Sequence, residues 1–146
     1  MLQSLIKLYK RDLGTVIKEL QLYKKESHIW SVQKDVTNCT GNLVLHLVGN
    51  LNHFIGAVLG NTGYIRQRDL EFSKKNTPIK ELIVMLDATI DMIETTLSNL
   101  LEEDLQNEYR RNPFEDFMTT EYFLLHLKSH LSYHLGQINY HRRLLD

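Results

Sequence analysis

Apolar residues recur every three or four positions in four long segments of the chain, which is the spacing of amphipathic α-helices. No segment alternates apolar and polar residues in the way that a half-buried strand does. The pattern therefore predicts an all-α fold, a four-helix bundle with long connections, in a single domain covering residues 1–146. The predicted helices run from Leu2 to about Lys24, from Leu43 to Leu59, from Pro78 to about Leu101, and onward from a capping threonine, Thr119 or Thr120.

Glycine and proline mark where these helices end and begin. The sequence Gly60-Asn61-Thr62-Gly63 ends the second helix. Thr77 is predicted to be the N-cap of the third helix, with Pro78 at its first helical position. The connections Lys25–Thr40 and Glu102–Met118 exceed the roughly two to eight residues that are common between bundle helices. We therefore expect a crossover in the topology and loops that cover one end of the bundle.

A charged segment lies between the second and third helices. It contains Arg66, Arg68, Asp69 and Glu71, and it is too short and too charged for a core helix. We interpret it as a solvated turn, with contact to a substrate as the alternative. No carboxylate in the chain stands out as a general base.

Histidines line one face of the last helix. At 100° per residue, His126, His130, His134 and His141 lie within about 80° of one another. This stripe overlaps the apolar face that the helix would bury. Imidazoles where leucine is usual suggest a metal site. His141 lies about 16 Å along the helix axis from His130 and cannot share its metal.

Two histidines four residues apart on a helix can bind one ion, and a histidine from a facing helix completes a three-nitrogen site. The pairs His130/His134 and His126/His130 have the same spacing. On the second helix, His46 and His53 share a polar stripe, so either is a candidate for the third ligand. The spacing alone leaves both choices open.

A three-histidine set with no fourth protein ligand leaves a position for water or substrate, as in catalytic metal sites. Imidazole nitrogen suits zinc, nickel, copper or iron. If His53 or His126 closed the site as a fourth ligand, a non-catalytic metal-binding or stress-response interaction protein would be the better interpretation. Asn50, in the same stripe as His46, is expected to pack near the site.

Composition narrows the class of partner. Charged residues make up 24% of the chain and the formal net charge is -1, with lysine and arginine scattered, so we expect no nucleic-acid partner. Cys39 is the only cysteine, which excludes an internal disulfide and suits a reducing cytoplasm; we expect an inert thiol. The chain lacks a signal-peptide pattern and any apolar run of about 18 residues, so we expect a cytoplasmic protein with no membrane partner.

Two motifs resemble those of a known family. Asn42-Leu-Val-Leu-His46 on the second helix and His130-Leu-Ser-Tyr-His134-Leu-Gly-Gln137-Ile138 on the last resemble the DinB/YfiT-like metalloenzymes. The resemblance implies a four-helix bundle in which His46, His130 and His134 ligate one divalent metal. It also places Gln137 in the motif of the last helix. Among the metals that suit imidazole, we expect zinc or nickel first, with iron or copper as alternatives.

The resemblance also implies a range of activities. Relatives in that family include metal-dependent thiol transferases, which use a low-molecular-weight thiol such as bacillithiol, mycothiol or glutathione, and at least one amide-type hydrolase. We therefore expect a metal-dependent transferase or hydrolase that acts on a small-molecule substrate as a homodimer. Leu135 departs from the family pattern, since many members have arginine there; this affects any contact of that arginine but not the ligands.

Overall fold

The computed structural model describes residues 1–146 and is all-helical, with no β-strand. This confirms the all-α prediction. A π-helical segment, Asn52–Ala57, extends the second helix, and the 3-10 turns Glu26–Trp30 and Glu102–Gln106 lie in the two long connections. None of the helices combines the length and the apolar character that crossing a membrane requires. The α-helices are α1 Leu2–Leu22, α2 Thr40–Leu51, α3 Arg68–Ser73, α4 Ile79–Ser98 and α5 Thr120–Leu145.

The four long helices surround one core. α1 packs against α4 and α5, and α2 packs against the same two helices, so α1 and α2 lie diagonally across a four-helix bundle. The core contains 27 buried apolar residues, and all four helices contribute to it. Leu13, Leu47, Leu86 and Leu131, one from each helix, have no exposed surface. This arrangement places α2 directly beside α5, which carries most of the histidines.

A buried ion pair joins α1 to α5. Nζ of Lys128 lies 2.5 Å from Oδ2 of Asp12, and the exposed fractions of the two side chains are 10% and 6%. Burial by itself raises the pKa of Asp12, but hydrogen bonds from Arg11 and Lys128 outweigh that effect. The net pKa of Asp12 is therefore lowered, and the carboxylate remains ionised beside the ammonium group.

α2 begins three residues before the predicted start. Its first residue is Thr40 rather than Leu43, and Cys39 is the N-cap. The indole of Trp30 packs directly on Gly41, where an added Cβ would lie 2.5 Å from a ring carbon. This first turn is thus buried by the preceding connection, a tertiary contact that the apolar periodicity of α2 does not encode.

The last part of the second helix is wider than an α-helix. Residues 52–57 form the π-helical segment, so the helix also ends before the predicted Leu59. In a π-helix each backbone hydrogen bond spans five residues instead of four, which rotates the following side chains relative to a continuous α-helix. His53 is the second residue of this segment. The predicted glycine turn follows, with Gly63 at φ 77° and Asn61 at φ 52°.

α4 and α5 begin close to their predicted positions. Of the two predicted N-caps of α5, Thr119 is the one observed, and its hydroxyl accepts a hydrogen bond from the backbone N–H of Tyr122 at 3.1 Å. The prediction for α4 is wrong by one residue: Pro78 is itself the N-cap and Ile79 is the first helical residue. Thr77 does not cap the helix, because its buried hydroxyl has no hydrogen-bond partner.

The first long connection closes one end of the bundle against α5. The hydroxyl of Tyr23 lies 2.6 Å from Nδ1 of His141, and Nε2 of His141 lies 2.8 Å from the carbonyl oxygen of Ser31. The backbone N–H of Lys24 donates to the Asp146 carboxylate at 2.6 Å. His141 is thus a buried structural residue, which agrees with its exclusion from the predicted metal site.

Candidate metal centre

The structure brings His46, His130 and His134 together. Nε2 of His46 lies 3.1 Å from Nε2 of His130, and Nε2 of His134 lies 3.0 Å from the same atom. One ring nitrogen from each histidine lies within 4.8 Å of the other two, so the three could hold a metal ion. These are the three residues that the motifs single out. We call them the three-histidine group.

Helix geometry explains the convergence. His130 and His134 are one turn apart on α5, so their side chains lie on the same side of that helix. α2 packs against α5 and presents His46 from the opposite side. His46 is only 7% exposed, whereas the other two are half-buried. The group therefore lies at the border between the core and the solvent.

The short helix α3 provides a hydrogen-bond acceptor for the buried histidine. Glu71 is 6% exposed, and its Oε1 accepts a hydrogen bond from Nδ1 of His46 at 2.9 Å. Its carboxylate lies so close to α2 that a Cβ added to Gly49 would overlap Oε2. The interpretation of Glu71 as part of a solvated turn is therefore wrong. The missing side chain at Gly49 creates the space in which this carboxylate packs.

Arg66 holds the same carboxylate from the other side. Its Nε and Nη2 donate to the two oxygens of Glu71 at 2.9 and 3.0 Å, which is a bidentate ion pair. Burial by itself raises the pKa of Glu71, but the hydrogen bonds from His46 and Arg66 outweigh that effect and the net pKa is lowered. Glu71 is therefore an ionised acceptor with a fixed orientation.

Gln137 makes the equivalent contact with His134. Its Oε1 accepts a hydrogen bond from Nδ1 of His134 at 2.7 Å. A histidine that donates from Nδ1 carries a lone pair on Nε2, which is the atom that can bind a metal. The acceptors Glu71 and Gln137 thus fix His46 and His134 with their Nε2 lone pairs directed toward His130.

His130 lies between the other two histidines and has no such acceptor. Its Nδ1 is buried without a hydrogen-bond partner. Burial, and then the nearby rings of His134 and His46, lower the pKa of His130 to about 4. The ring is therefore neutral near pH 7, as metal binding requires. Asn50, one turn after His46, is also buried, and its side-chain oxygen lacks a partner.

The alternative ligands do not join the three-histidine group. His126 is exposed, and its ring packs near Phe114 and Phe123, with ring centroids 5.2 and 5.8 Å away. The ring of His53 packs edge-on against Phe54, with the centroids 4.7 Å apart. The alternative sets that use His53 or His126 are thus not assembled in this structure.

The arrangement of the nitrogen atoms fits a divalent transition metal. With their protons on Nδ1, His46 and His134 direct two lone pairs at Nε2 of His130, and a single proton there could satisfy only one of them. A cation between the three nitrogens removes this repulsion. Two nitrogens bound to a tetrahedral zinc lie about 3.3 Å apart, close to the observed 3.0 and 3.1 Å. A tetrahedral metal held by these three histidines alone would have one position for water or substrate.

Fold and site together define a class: a helical-bundle protein with a three-histidine group that could hold a metal at the edge of its core. The chain belongs to the family described as "Protein of unknown function (DUF1572)", whose sequence profile matches residues 2–146. No curated protein matches the chain. The matched region includes all five α-helices and the three-histidine group.

The sequence reasoning missed the roles of Arg66 and Glu71. One signal was available: Gly49 lies inside the second helix, three residues after His46. An isolated glycine within a helix usually has a packing or functional reason. It indicated that another group approaches α2 beside the histidine, and the charged segment after the glycine turn was a candidate for that group.

Proposed function

We propose that this protein is a DinB-like metal-dependent enzyme in which His46, His130 and His134 bind one divalent transition metal. Zinc and nickel are the first candidates, with iron and copper as alternatives. The observation that carries the proposal is the convergence of three Nε2 atoms, two of them 3.0 and 3.1 Å from the third. The motifs that resemble the DinB/YfiT-like family contain the same three residues.

The surrounding residues support a metal-binding role because they orient the ligands. Glu71 holds the ring of His46, Arg66 holds Glu71, and Gln137 holds the ring of His134. Carboxylate and amide oxygens on the distal nitrogen of a histidine fix its tautomer and increase its basicity. A bound metal would lower the pKa of a thiol or water and hold that nucleophile beside an electrophile.

We propose transfer of a low-molecular-weight thiol to an electrophilic small molecule as the reaction, with hydrolysis of a small molecule as the neighbouring possibility. The site provides no free general base, since Glu71 already accepts three hydrogen bonds from His46 and Arg66. Chemistry that relies on an activated thiol or water suits such a site. The non-catalytic alternative needs a closed site, and neither His53 nor His126 joins the group.

We further propose a cytoplasmic homodimer that acts on a small molecule and not on nucleic acid or at a membrane. The proposal of a homodimer is based on the family resemblance alone. The net charge of -1 gives no electrostatic footprint for a polyanion, and the unpaired Cys39 suits a reducing compartment. Sedimentation velocity at several protein concentrations tests the oligomeric state; a monomer at all concentrations would exclude the dimer.

Metal analysis of protein purified without an affinity tag tests the site. The wild type should contain about one equivalent of a transition metal, and His130→Ala/His134→Ala should contain almost none. His126→Ala is the matched control, because it removes an exposed histidine from the same helix and should leave the metal content unchanged. Full metal content in the double variant would refute the assignment.

A turnover assay separates the enzyme from the non-catalytic alternative. The zinc-loaded and nickel-loaded proteins are incubated with glutathione, bacillithiol or mycothiol and with a panel of electrophiles, and conjugates are detected by mass spectrometry. The enzyme hypothesis predicts conjugates or hydrolysis products that the double variant does not form. A metal-loaded protein whose spectrum shows four protein ligands and no exchangeable water would support the non-catalytic interpretation instead.

A further inference from the structure

A cavity of about 300 Å³ lies at the end of the bundle, between the start of α2, the end of α5 and the connection over residues 33–38. Leu43 forms its wall on α2, and Tyr140 and Leu144 are among its residues on α5. This volume is at the lower end of the range for small-molecule sites in proteins. The cavity is therefore large enough for a compact organic molecule.

The cavity adjoins the three-histidine group. Gln137 lines it, and the Oε1 of the same residue accepts the hydrogen bond from Nδ1 of His134. Leu43, on the opposite wall, precedes His46 by three residues, a rise of about 4.5 Å along α2. A molecule in the cavity would thus contact a residue that orients one of the ligands.

The lining disfavours an anion. Five of its eleven residues are hydrophobic, Asp35 is its one acidic residue, and it includes no lysine or arginine. Both ring nitrogens of the lining residue His141 already have partners, Tyr23 and the carbonyl of Ser31. The side chains of Gln33, Asn38 and Gln137 can exchange hydrogen bonds with an uncharged polar group.

We propose that this cavity binds an uncharged small molecule with an apolar body. In the proposed reaction this molecule is the electrophilic substrate, and the thiol binds elsewhere; that assignment rests on the proposed function. The binding itself does not depend on a metal, because apolar surface and amide groups form the site. Asp35, with no lysine or arginine among the lining residues, sets the preference for an uncharged ligand over an anion.

Two fluorescent probes with the same aromatic skeleton test this preference. N-phenyl-1-naphthylamine is uncharged, and 8-anilino-1-naphthalenesulfonate adds a sulfonate. The wild type should bind the uncharged probe saturably at one site, and about fivefold more tightly than the sulfonate because of repulsion by the exposed Asp35. Asp35→Asn should reduce that ratio. Equal affinity for the two probes, or no saturable binding of the uncharged probe, would overturn the proposal.

A substitution at the rim locates the binding site. Leu144 is 76% exposed, so Leu144→Arg can place a cation at the cavity without disturbing the core. It should weaken binding of the uncharged probe and strengthen binding of the sulfonate. Leu101→Arg is the matched control, since Leu101 is 60% exposed and is not a lining residue. Identical titrations of Leu144→Arg and the wild type would place the probe elsewhere and overturn the proposal.

Two more measurements separate this proposal from the others. His130→Ala/His134→Ala should bind the uncharged probe about as well as the wild type, so loss of metal without loss of probe binding counts against the proposed function alone. If the double variant lost probe binding together with its metal, the proposal that the cavity binds its ligand without a metal would be overturned. Probe binding that weakens as protein concentration rises would assign this surface to a second copy of the chain and also overturn the proposal.

Discussion

Replacing Glu71 tests whether the acceptor on α3 contributes to metal binding. Its carboxylate accepts three hydrogen bonds, at 2.9 Å from His46 and at 2.9 and 3.0 Å from Arg66. An amide has one acceptor oxygen, so Glu71→Gln must direct its NH₂ group at one of these donors. At least one charge-assisted hydrogen bond is then lost, which costs about 1.5–3 kcal/mol.

Part of that cost should appear in metal affinity, because the ring of His46 is then less firmly oriented. Loss of a partner behind a metal ligand usually weakens binding about 10- to 100-fold, or about 1.4–2.7 kcal/mol. We expect Glu71→Gln near the lower value and Glu71→Ala near the upper one. Competition for zinc with a chromophoric chelator measures both dissociation constants.

Two other variants sharpen this experiment. Gly49→Ala moves the same carboxylate without removing it, because the new Cβ would overlap Oε2 of Glu71, so affinity should again fall. Glu94→Gln is the control: Glu94 pairs with Lys10 at 2.8 Å on the exposed surface, and its loss should leave the dissociation constant unchanged. If Glu71→Gln and Glu71→Ala both bind zinc as tightly as Glu94→Gln, the orienting role of Glu71 is refuted.

Two further predictions concern packing. Asp12→Ala leaves the Lys128 ammonium group buried without its partner, so urea denaturation should show a loss of about 3–5 kcal/mol. The pKa of Asp12 is lowered on folding, so its contribution to the free energy of unfolding is present above the unfolded pKa of about 4 and is lost as pH falls through the folded pKa. If the difference in unfolding free energy between the variant and the wild type did not shrink in acid, this reasoning would be contradicted. Gly41→Ala should displace the only tryptophan, Trp30, shift its fluorescence to the red and cost about 1–3 kcal/mol, whereas Gly14→Ala, with open space around it, should leave the spectrum unchanged.

The parts of the fold that follow from local spacing could be predicted from the sequence. Periodicity indicated the four long helices, and the spacing of His130 and His134 already placed two ring nitrogens on one side of α5. Spacing alone could not decide between His46 and His53 as the third ligand, because the two share a stripe on an ideal α-helix. The π-helical segment Asn52–Ala57 replaces the ideal helix at His53, and His53 does not join the three-histidine group. Such a change of helix type depends on packing that periodicity does not report.

The partners of the ligands could not be predicted in the same way. Arg66 and Glu71 lie in a short charged segment whose local sequence favours exposure. Their burial results from the packing of α3 on α2, which the absence of a side chain at Gly49 permits. The acceptor Gln137 was accessible to sequence reasoning as part of a motif, because it lies only three residues from His134.

The origin of the three-histidine group on two helices affects when a metal can bind. His46 and His130 are separated by 84 positions in the chain, so a growing polypeptide carries the first histidine long before it carries the other two. The group that could hold an ion is therefore complete only after α5 has been synthesised and has packed against α2. If the group binds a metal as proposed, metal content reports the fraction of molecules in which these two helices have docked correctly, and a chelator should lower the melting temperature because it removes an ion that stabilises the folded state.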